Sequence, residues 1–315
     1  MPASLSSVYR AVLLTGICLF GSMAAQAQPN YPRTPEEAEL VTSDLEHFVE
    51  AYLALQSDPD TLGVLQALYF DRGSAGLNEF IARHQLTPEL LTEALQKAPE
   101  RYALLPGFLA EIATVRDSYA QLTRRFGQVL PTAMYAPTYL LVGANRGIGQ
   151  ASLVGQLITV TQLSDDLDLL QVMMAHELTH FQQAMAMGGQ KYVQLYSDPN
   201  NMLGLCLREG GAEFVTSLVL GGITQQKALA YIDAEEDRLK QKFLKDLEAQ
   251  QKEYWLWGSI GQQDYPKLLG YAMGYKICHQ YYEQAPDKAA ALQDVLRMDD
   301  AAAFLASSGY FDRMD

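Results

Sequence analysis

The most constraining feature of this 315-residue chain is the run His176-Glu177-Leu178-Thr179-His180, which lies within a segment of helical periodicity. Two histidines four residues apart lie on one face of a helix, one turn from each other. Their imidazole nitrogens can then bind a single tetrahedral metal ion, with Glu177 beside it as a general base. The run therefore predicts a helix that carries part of a catalytic metal site.

The residues around this run predict where its helix begins and ends. Ser164-Asp165-Asp166 supplies an amino-terminal cap with acidic residues, and Gly188-Gly189 supplies a stop. Between them, one face carries residues at helical spacing: Leu169, Val172, Met173, His176 and His180. The alternative to a metal site is an ordinary core helix with two buried, hydrogen-bonded histidines.

A third ligand is expected from a second apolar helical segment, residues 205–214. Glu209 and Glu213 lie four residues apart on one face of it. Two carboxylates on an apolar face repel each other and lose solvation unless a cation compensates them. We therefore expect Glu209 to ligate zinc and Glu213 to hydrogen-bond behind a ligand histidine. The alternative for Glu213 is an ion pair with a lysine or arginine. Gly210 and Gly211, unfavourable in a helix, indicate the close approach of another backbone or of a metal.

A ligand set of three histidines is excluded by position. It requires a histidine six residues after His180, where the chain has Ala186, and a glycine where the chain has Gln183. Two histidines and one glutamate are therefore the predicted ligands.

These motifs resemble those of known zinc peptidases. His-Glu-Leu-Thr-His followed by Arg-Glu-Gly-Gly-Ala-Glu-Phe at 208–214 is similar to the gluzincins, in which an Asn-Glu-Gly-Phe-Ala-type helix supplies the glutamate ligand. A closer resemblance is to a family of predicted zinc-dependent proteases, known mostly as a domain of unknown function. That family shares His-Glu-Leu-x-His-Phe/Tyr-Gln-Gln, Glu-Gly-x-Ala-Glu-Phe and an upstream Gly-Ser-x-Gly-Leu, here Gly73-Ser74-Ala75-Gly76-Leu77. The resemblance implies proteolysis with zinc as cofactor. The spacing between the two metal motifs is longer than in aminopeptidase-type gluzincins, so trimming of amino termini is not implied.

A late helix is expected to supply the group that stabilises the oxyanion. It follows Tyr265-Pro266 and carries ring side chains along one face: Tyr271, Tyr275, His279 and Tyr282. Such a stripe usually packs in a core. Zinc peptidases, however, need a hydrogen-bond donor for the tetrahedral oxyanion. We expect Tyr275 to be this donor, with Tyr271 as the second candidate.

The predicted fold class is mainly α (α+β), a zincin-like helical domain with a small β-sheet next to the active-site helix. Helices are predicted at residues 34–56, from 87 onward, at 100–126 and at 225–252, the last as a charged and solvated helix. Residues 135–142 and 152–163 are rich in β-branched and aromatic side chains and predict two strands. Residues 147–151 between them form either a turn or a sheet edge that binds an extended peptide.

Residues 1–27 are predicted to be a secretory signal peptide. Arg10 supplies the positive charge of the amino-terminal region, and residues 11–23 form the apolar core of the signal peptide. Ala25-Gln26-Ala27 supplies the small residues of the cleavage site. The apolar core is too short to span a bilayer. We therefore expect an exported protein, periplasmic or secreted, with no stable membrane span after cleavage. Residues 28–315 are then long enough for a single domain with a substantial core.

The composition restricts the partners of the mature chain. The formal net charge of the full chain is −14, and removal of Arg10 with the signal peptide makes it more negative, which argues against nucleic acid as a partner. Cys206 and Cys278, the cysteines left after removal of the signal peptide, form either one disulfide or two buried thiols.

The predicted function is therefore that of an exported zinc metalloprotease with peptide or protein substrates. Zn²⁺ held by the three ligands would acidify water, Glu177 would accept its proton, and a tyrosine would share the oxyanion charge. The alternative is a non-enzymatic envelope, assembly or binding protein that retains a zincin scaffold. A fourth protein ligand to the metal would favour that alternative, and His279 is the remaining candidate.

Overall fold

The computed structural model describes residues 30–198, 200–257 and 265–312, so the predicted signal peptide at 1–27 lies outside the described residues. The fold is mainly helical with a small four-stranded sheet, which confirms the predicted class. The chain divides into two compact units, Met1–Phe181 and Gln182–Asp315. That residues 28–315 act as a single domain stays a prediction.

The first unit holds the sheet and a series of mostly short helices. In chain order its elements are β1 (Leu40–Val41), α1 (Ser43–Ala54), α2 (Thr61–Leu68), α3 (Ala75–His84), α4 (Pro88–Lys97), α5 (Pro99–Tyr102), α6 (Leu105–Ala110), α7 (Ile112–Val129), β2 (Thr138–Leu141), β3 (Gly149–Ala151) and β4 (Gln156–Thr159). Single 3₁₀ turns lie at Pro35–Glu37, Phe70–Arg72 and Val160–Gln162.

Two of the predicted long helices are interrupted. The prediction of one helix over 34–56 is wrong, because residues Leu40–Val41 pair as strand β1 and α1 begins only at Ser43. The prediction over 100–126 is also wrong, since that segment forms three helices. Pro106 lies in the first turn of α6, where its missing N–H is tolerated, and a longer helix could not continue through it. The helix predicted from residue 87 is confirmed, with the Thr87 hydroxyl capping α4.

The sheet has the strand order β1-β2-β4-β3. The first three strands in that order are parallel, and β3 runs antiparallel to β4. The two central strands, β2 and β4, are buried along their whole length, as strands covered on both faces should be. They lie within the two predicted strand segments. Residues 147–151 thus contribute an edge strand, β3, rather than a simple turn.

The second unit is helical over its described residues. The boundary between the units falls inside α8 (Leu167–Met187). The later helices are α9 (Gly189–Ser197), α10 (Met202–Leu220), α11 (Gln226–Ala234), α12 (Glu236–Ala249), α13 (Leu269–Gln284), α14 (Lys288–Arg297) and α15 (Ala301–Ser308), with a π-helical turn at Glu253–Trp257. No helix among the described residues has the length and apolar character needed to cross a membrane.

The charged segment 225–252 differs from its prediction as a single solvated helix. It forms two helices, α11 and α12, with a break at Glu235. One side of α12 is buried and includes Phe243 and Asp246. The Asp246 carboxylate accepts a hydrogen bond from the indole N–H of Trp255 at 2.9 Å. A charged residue of this segment thus pairs with a buried aromatic side chain.

The α10 and α13 helices contact each other through their backbones. A Cβ atom added at Gly274 would lie 1.9 Å from the carbonyl oxygen of Cys206, and one added at Gly210 would lie 2.2 Å from the carbonyl carbon of Gly274. The expectation that Gly210 permits a close backbone approach is therefore confirmed. Cys206 and Cys278 are free, buried thiols rather than a disulfide, and burial raises the pKa of both.

Candidate metal centre

The helix that carries the histidines forms as its local sequence predicts. The Asp166 carboxylate accepts the backbone N–H of Leu169 at 2.9 Å and so caps the first turn of α8. The helix ends at Met187, before Gly188, whose φ of 85° is readily adopted only by glycine. Both glycine and cap are local signals, which explains why the helix bounds are readable from sequence.

His176 and His180 lie one turn apart on α8. Their ring centroids are 4.5 Å apart, with the ring planes at 89°. Only 7% and 5% of these two residues are exposed to solvent. Two imidazoles one helical turn apart can bind the same metal ion.

Glu177 lies beside the edge strand of the sheet. Only 4% of it is exposed. A Cβ atom added at Gly149 of β3 would lie 2.6 Å from the Glu177 Oε1 atom and 2.8 Å from its Cγ atom. The glycine therefore leaves the space that the carboxylate occupies, and the sheet lies next to this helix as predicted.

Glu209 is buried on α10 and is surrounded by hydrogen-bond donors. Its Oε1 atom accepts from the hydroxyl of Tyr196 at 3.2 Å and from the Nη2 atom of Arg208. The Tyr271 hydroxyl also hydrogen-bonds Glu209. Burial, and then the charge of Glu209, raise the pKa of Tyr271 well above its ordinary value, so this hydroxyl keeps its proton.

Glu213 lies one turn after Glu209 and is buried. Its carboxylate accepts hydrogen bonds from the hydroxyl of Thr224 and from the side-chain amide of Gln225, the latter at 3.2 Å. A place behind a ligand histidine stays a prediction for this residue.

Tyr275, the favoured oxyanion donor, is half-buried on α13. Its ring packs edge-on against Phe214 with centroids 5.9 Å apart, and it stacks on His279 at the same separation. His279 itself is exposed. The backbone N atom of Tyr275 would lie only 2.3 Å from a Cβ atom added at Gly210, the residue after Glu209.

Three of the predicted residues come together as a group that could hold a metal ion. One ligand atom from each of His176, His180 and Glu209 lies within 4.8 Å of the others, and all three residues are buried. Among the described residues this group has three members, and His279 is not one of them.

Two imidazole nitrogens and one carboxylate oxygen are a ligand set that zinc accepts. Donor atoms bound to a tetrahedral zinc ion at ~2.1 Å lie about 3.4 Å from one another. The observed separations of up to 4.8 Å thus need only small shifts to close around one ion. The residues present fit zinc.

Two residues that contact Glu209 were not predicted from the sequence, namely Arg208 and Tyr196. Arg208 is a lone charge before Glu209 in an apolar run, which in retrospect indicates a buried ion pair. Tyr196 gives a weaker signal, a Tyr192-Tyr196 pair at helical spacing in α9. Its contact depends on how α9 folds back onto α10.

A protein-family model matches residues 137–302, more than half of the chain, and is described as "Predicted Zn-dependent protease (DUF2268)". The matched residues run from the beginning of the β2 region to the start of α15 and include both metal motifs. No curated protein and no solved structure matches the chain. With its three buried candidate ligands and this match, the chain belongs to the family of predicted zinc-dependent proteases.

Proposed function

We propose that this protein is an exported zinc metallopeptidase of the gluzincin type that hydrolyses peptide bonds. The observation that carries the proposal is the buried group of His176, His180 and Glu209, with the buried carboxylate of Glu177 following the first ligand. Export rests on the signal-peptide pattern of residues 1–27.

The proposed roles follow from the chemistry of each group. When bound, zinc supplies an electrophile that acidifies water and polarises the scissile carbonyl. Glu177 accepts the proton of the attacking water and returns it to the leaving amine. Its place beside Gly149 holds the carboxylate at the sheet edge, where an extended substrate could pair with β3.

Tyr275 is the better candidate for the oxyanion donor. Tyr271 already gives its hydroxyl to Glu209 and is almost completely buried. Tyr275 is half-buried on the same helix, and its backbone lies against the residue that follows Glu209. Its hydroxyl would stabilise the negative charge that develops on the carbonyl oxygen.

The alternative of a non-enzymatic scaffold is less well supported. A purely structural zinc has four protein ligands, whereas a catalytic one keeps an open position. The group found among the described residues supplies three ligands. Glu177 is buried next to that group, where hydrolysis needs a general base. A structural zinc site has no use for such a base.

Cleavage of an unbiased peptide library distinguishes a peptidase from a non-enzymatic scaffold protein. We expect the purified mature chain to cleave library peptides, to lose this activity with a zinc chelator and to regain it when zinc is added back. Mass spectrometry of the products also gives the cleavage preference. A zinc-loaded chain that cleaves no peptide in a broad library would favour the scaffold.

Replacing Gly149 with alanine tests the placement of Glu177. The new methyl group would overlap the Glu177 carboxylate and displace it, while the three ligands stay unchanged. A misplacement of about 1 Å can cost about 100-fold in rate, so we expect a large loss of peptide hydrolysis with zinc content retained.

Gly107→Ala on α6 is the matched control, because a Cβ atom there meets nothing within 4 Å. This variant should be as active as the parent. Full activity of Gly149→Ala would show that Glu177 does not need the position it has here.

A further inference from the structure

We propose that Arg208 and Tyr196 are positioning residues that fix the carboxylate of the metal ligand Glu209; we call this pair the Glu209 clamp. The inference rests on the proposed function, because it takes Glu209 to be a ligand. It assigns a role to two residues that lie outside the histidine motif and that are not themselves proposed to bind the metal.

The clamp acts on a single oxygen atom. The Tyr196 hydroxyl and the Arg208 guanidinium both donate to Oε1 of Glu209. Two donors that converge on one oxygen restrict rotation of the carboxylate, and they thereby fix the direction of its second oxygen. Hydrogen bonds from outside the ligand shell commonly orient metal-binding side chains in this way.

Arg208 is almost completely buried and lies against two tyrosine rings of α9. The residue is 1% exposed, and its guanidinium carbon lies 3.2 Å from the centre of the Tyr196 ring and 5.0 Å from that of Tyr192. Its Nε and Nη1 atoms have no hydrogen-bond partner among the described residues. A buried guanidinium with unused donors is unfavourable for stability, and such groups in native proteins call for an explanation. The contact of the Nη2 atom with Glu209 explains why a positive charge is kept at this buried position.

Tyr196 reaches Glu209 from α9, a helix with no fully buried residue. Its half-buried ring lies against the Arg208 guanidinium, and phenylalanine would keep that ring in place. Loss of the hydroxyl alone would therefore remove one donor to Glu209 without opening a cavity. This makes Tyr196→Phe a clean test of the clamp.

The test uses two variants that leave the net charge of the site unchanged. Tyr196→Phe removes one donor, and Arg208→Lys keeps the positive charge but loses the planar fork that directs hydrogen bonds. Tyr281→Phe is the matched control, because it removes a hydroxyl that donates to a different carboxylate, that of Asp294, at 2.8 Å.

The full mature chain of each variant is titrated with zinc against a chromophoric chelator, and its absorption spectrum with cobalt is recorded. We expect each clamp variant to bind zinc about 10-fold more weakly, the usual cost of losing such a partner, and to change the cobalt spectrum. The Tyr281→Phe control should have the zinc affinity and the cobalt spectrum of the parent. The cobalt spectrum reports ligand geometry, which a merely structural residue would leave unchanged.

Parental zinc affinity and cobalt spectrum in a folded Tyr196→Phe protein would overturn the clamp. This variant decides the matter if Arg208→Lys does not fold, as judged by circular dichroism. A parent that binds no zinc would refute the proposed function and the clamp together. A zinc-dependent parent with unaffected clamp variants would refute the clamp alone.

Discussion

Replacing Glu177 with glutamine is expected to lower peptide hydrolysis by about 10²–10⁴-fold, the usual contribution of a general base. Glutamine has the same size and fits the same buried position beside Gly149, but its amide cannot accept a proton from water at neutral pH. Zinc content should stay at the parental level because Glu177 is not among the three candidate ligands. Some rate should remain, since the metal still acidifies water.

This prediction separates the enzyme from the scaffold. Steady-state kinetics on a peptide selected from the library, together with zinc analysis and circular dichroism, give activity, metal content and fold for the same sample. Glu93→Gln on α4 is the matched control, because that side chain is exposed and the same chemical change there should have no effect. A Glu177→Gln protein as active as its parent would exclude the proposed mechanism.

The parts of the fold that could be predicted are those encoded by neighbouring residues. Asp166 and Gly188 set the two ends of α8, and Thr87 sets the start of α4, through capping and backbone preferences that act within one turn. Strand β1 could not be predicted, because it is two residues long and pairs with β2, almost one hundred residues later in the chain. Its pairing depends on long-range contacts that local sequence does not encode.

The residues of the candidate site likewise include some that local sequence predicts and some that depend on long-range contacts. His176, Glu177 and His180 could be identified because helical spacing alone brings them to one region of one helix. Glu209 could be identified because a buried pair of carboxylates calls for a cation. Tyr196 could not, since its contact with Glu209 depends on the path of the chain between α8 and α10. The hydroxyl of Tyr271, the second candidate for the oxyanion donor, is hydrogen-bonded to Glu209, a contact that its place in the ring stripe of α13 did not indicate.

Replacing His176 and His180 together with alanine is expected to remove the metal. Each substitution takes away one of the three candidate ligands, and the carboxylate of Glu209 alone would not hold zinc against solvent and chelators. All peptide hydrolysis that depends on zinc should be lost with it. His279→Ala is the matched control, because His279 is exposed and is not part of the candidate group.

The most direct measurement is the zinc content of the purified mature chain, determined by mass spectrometry of the metal for the parent, the double histidine variant and His279→Ala. We expect about one zinc ion per chain in the parent and in the His279→Ala control, and none in the double variant. Stoichiometric zinc retained after loss of both histidines, or a parent that takes up no zinc at all, would contradict the assignment of the metal centre.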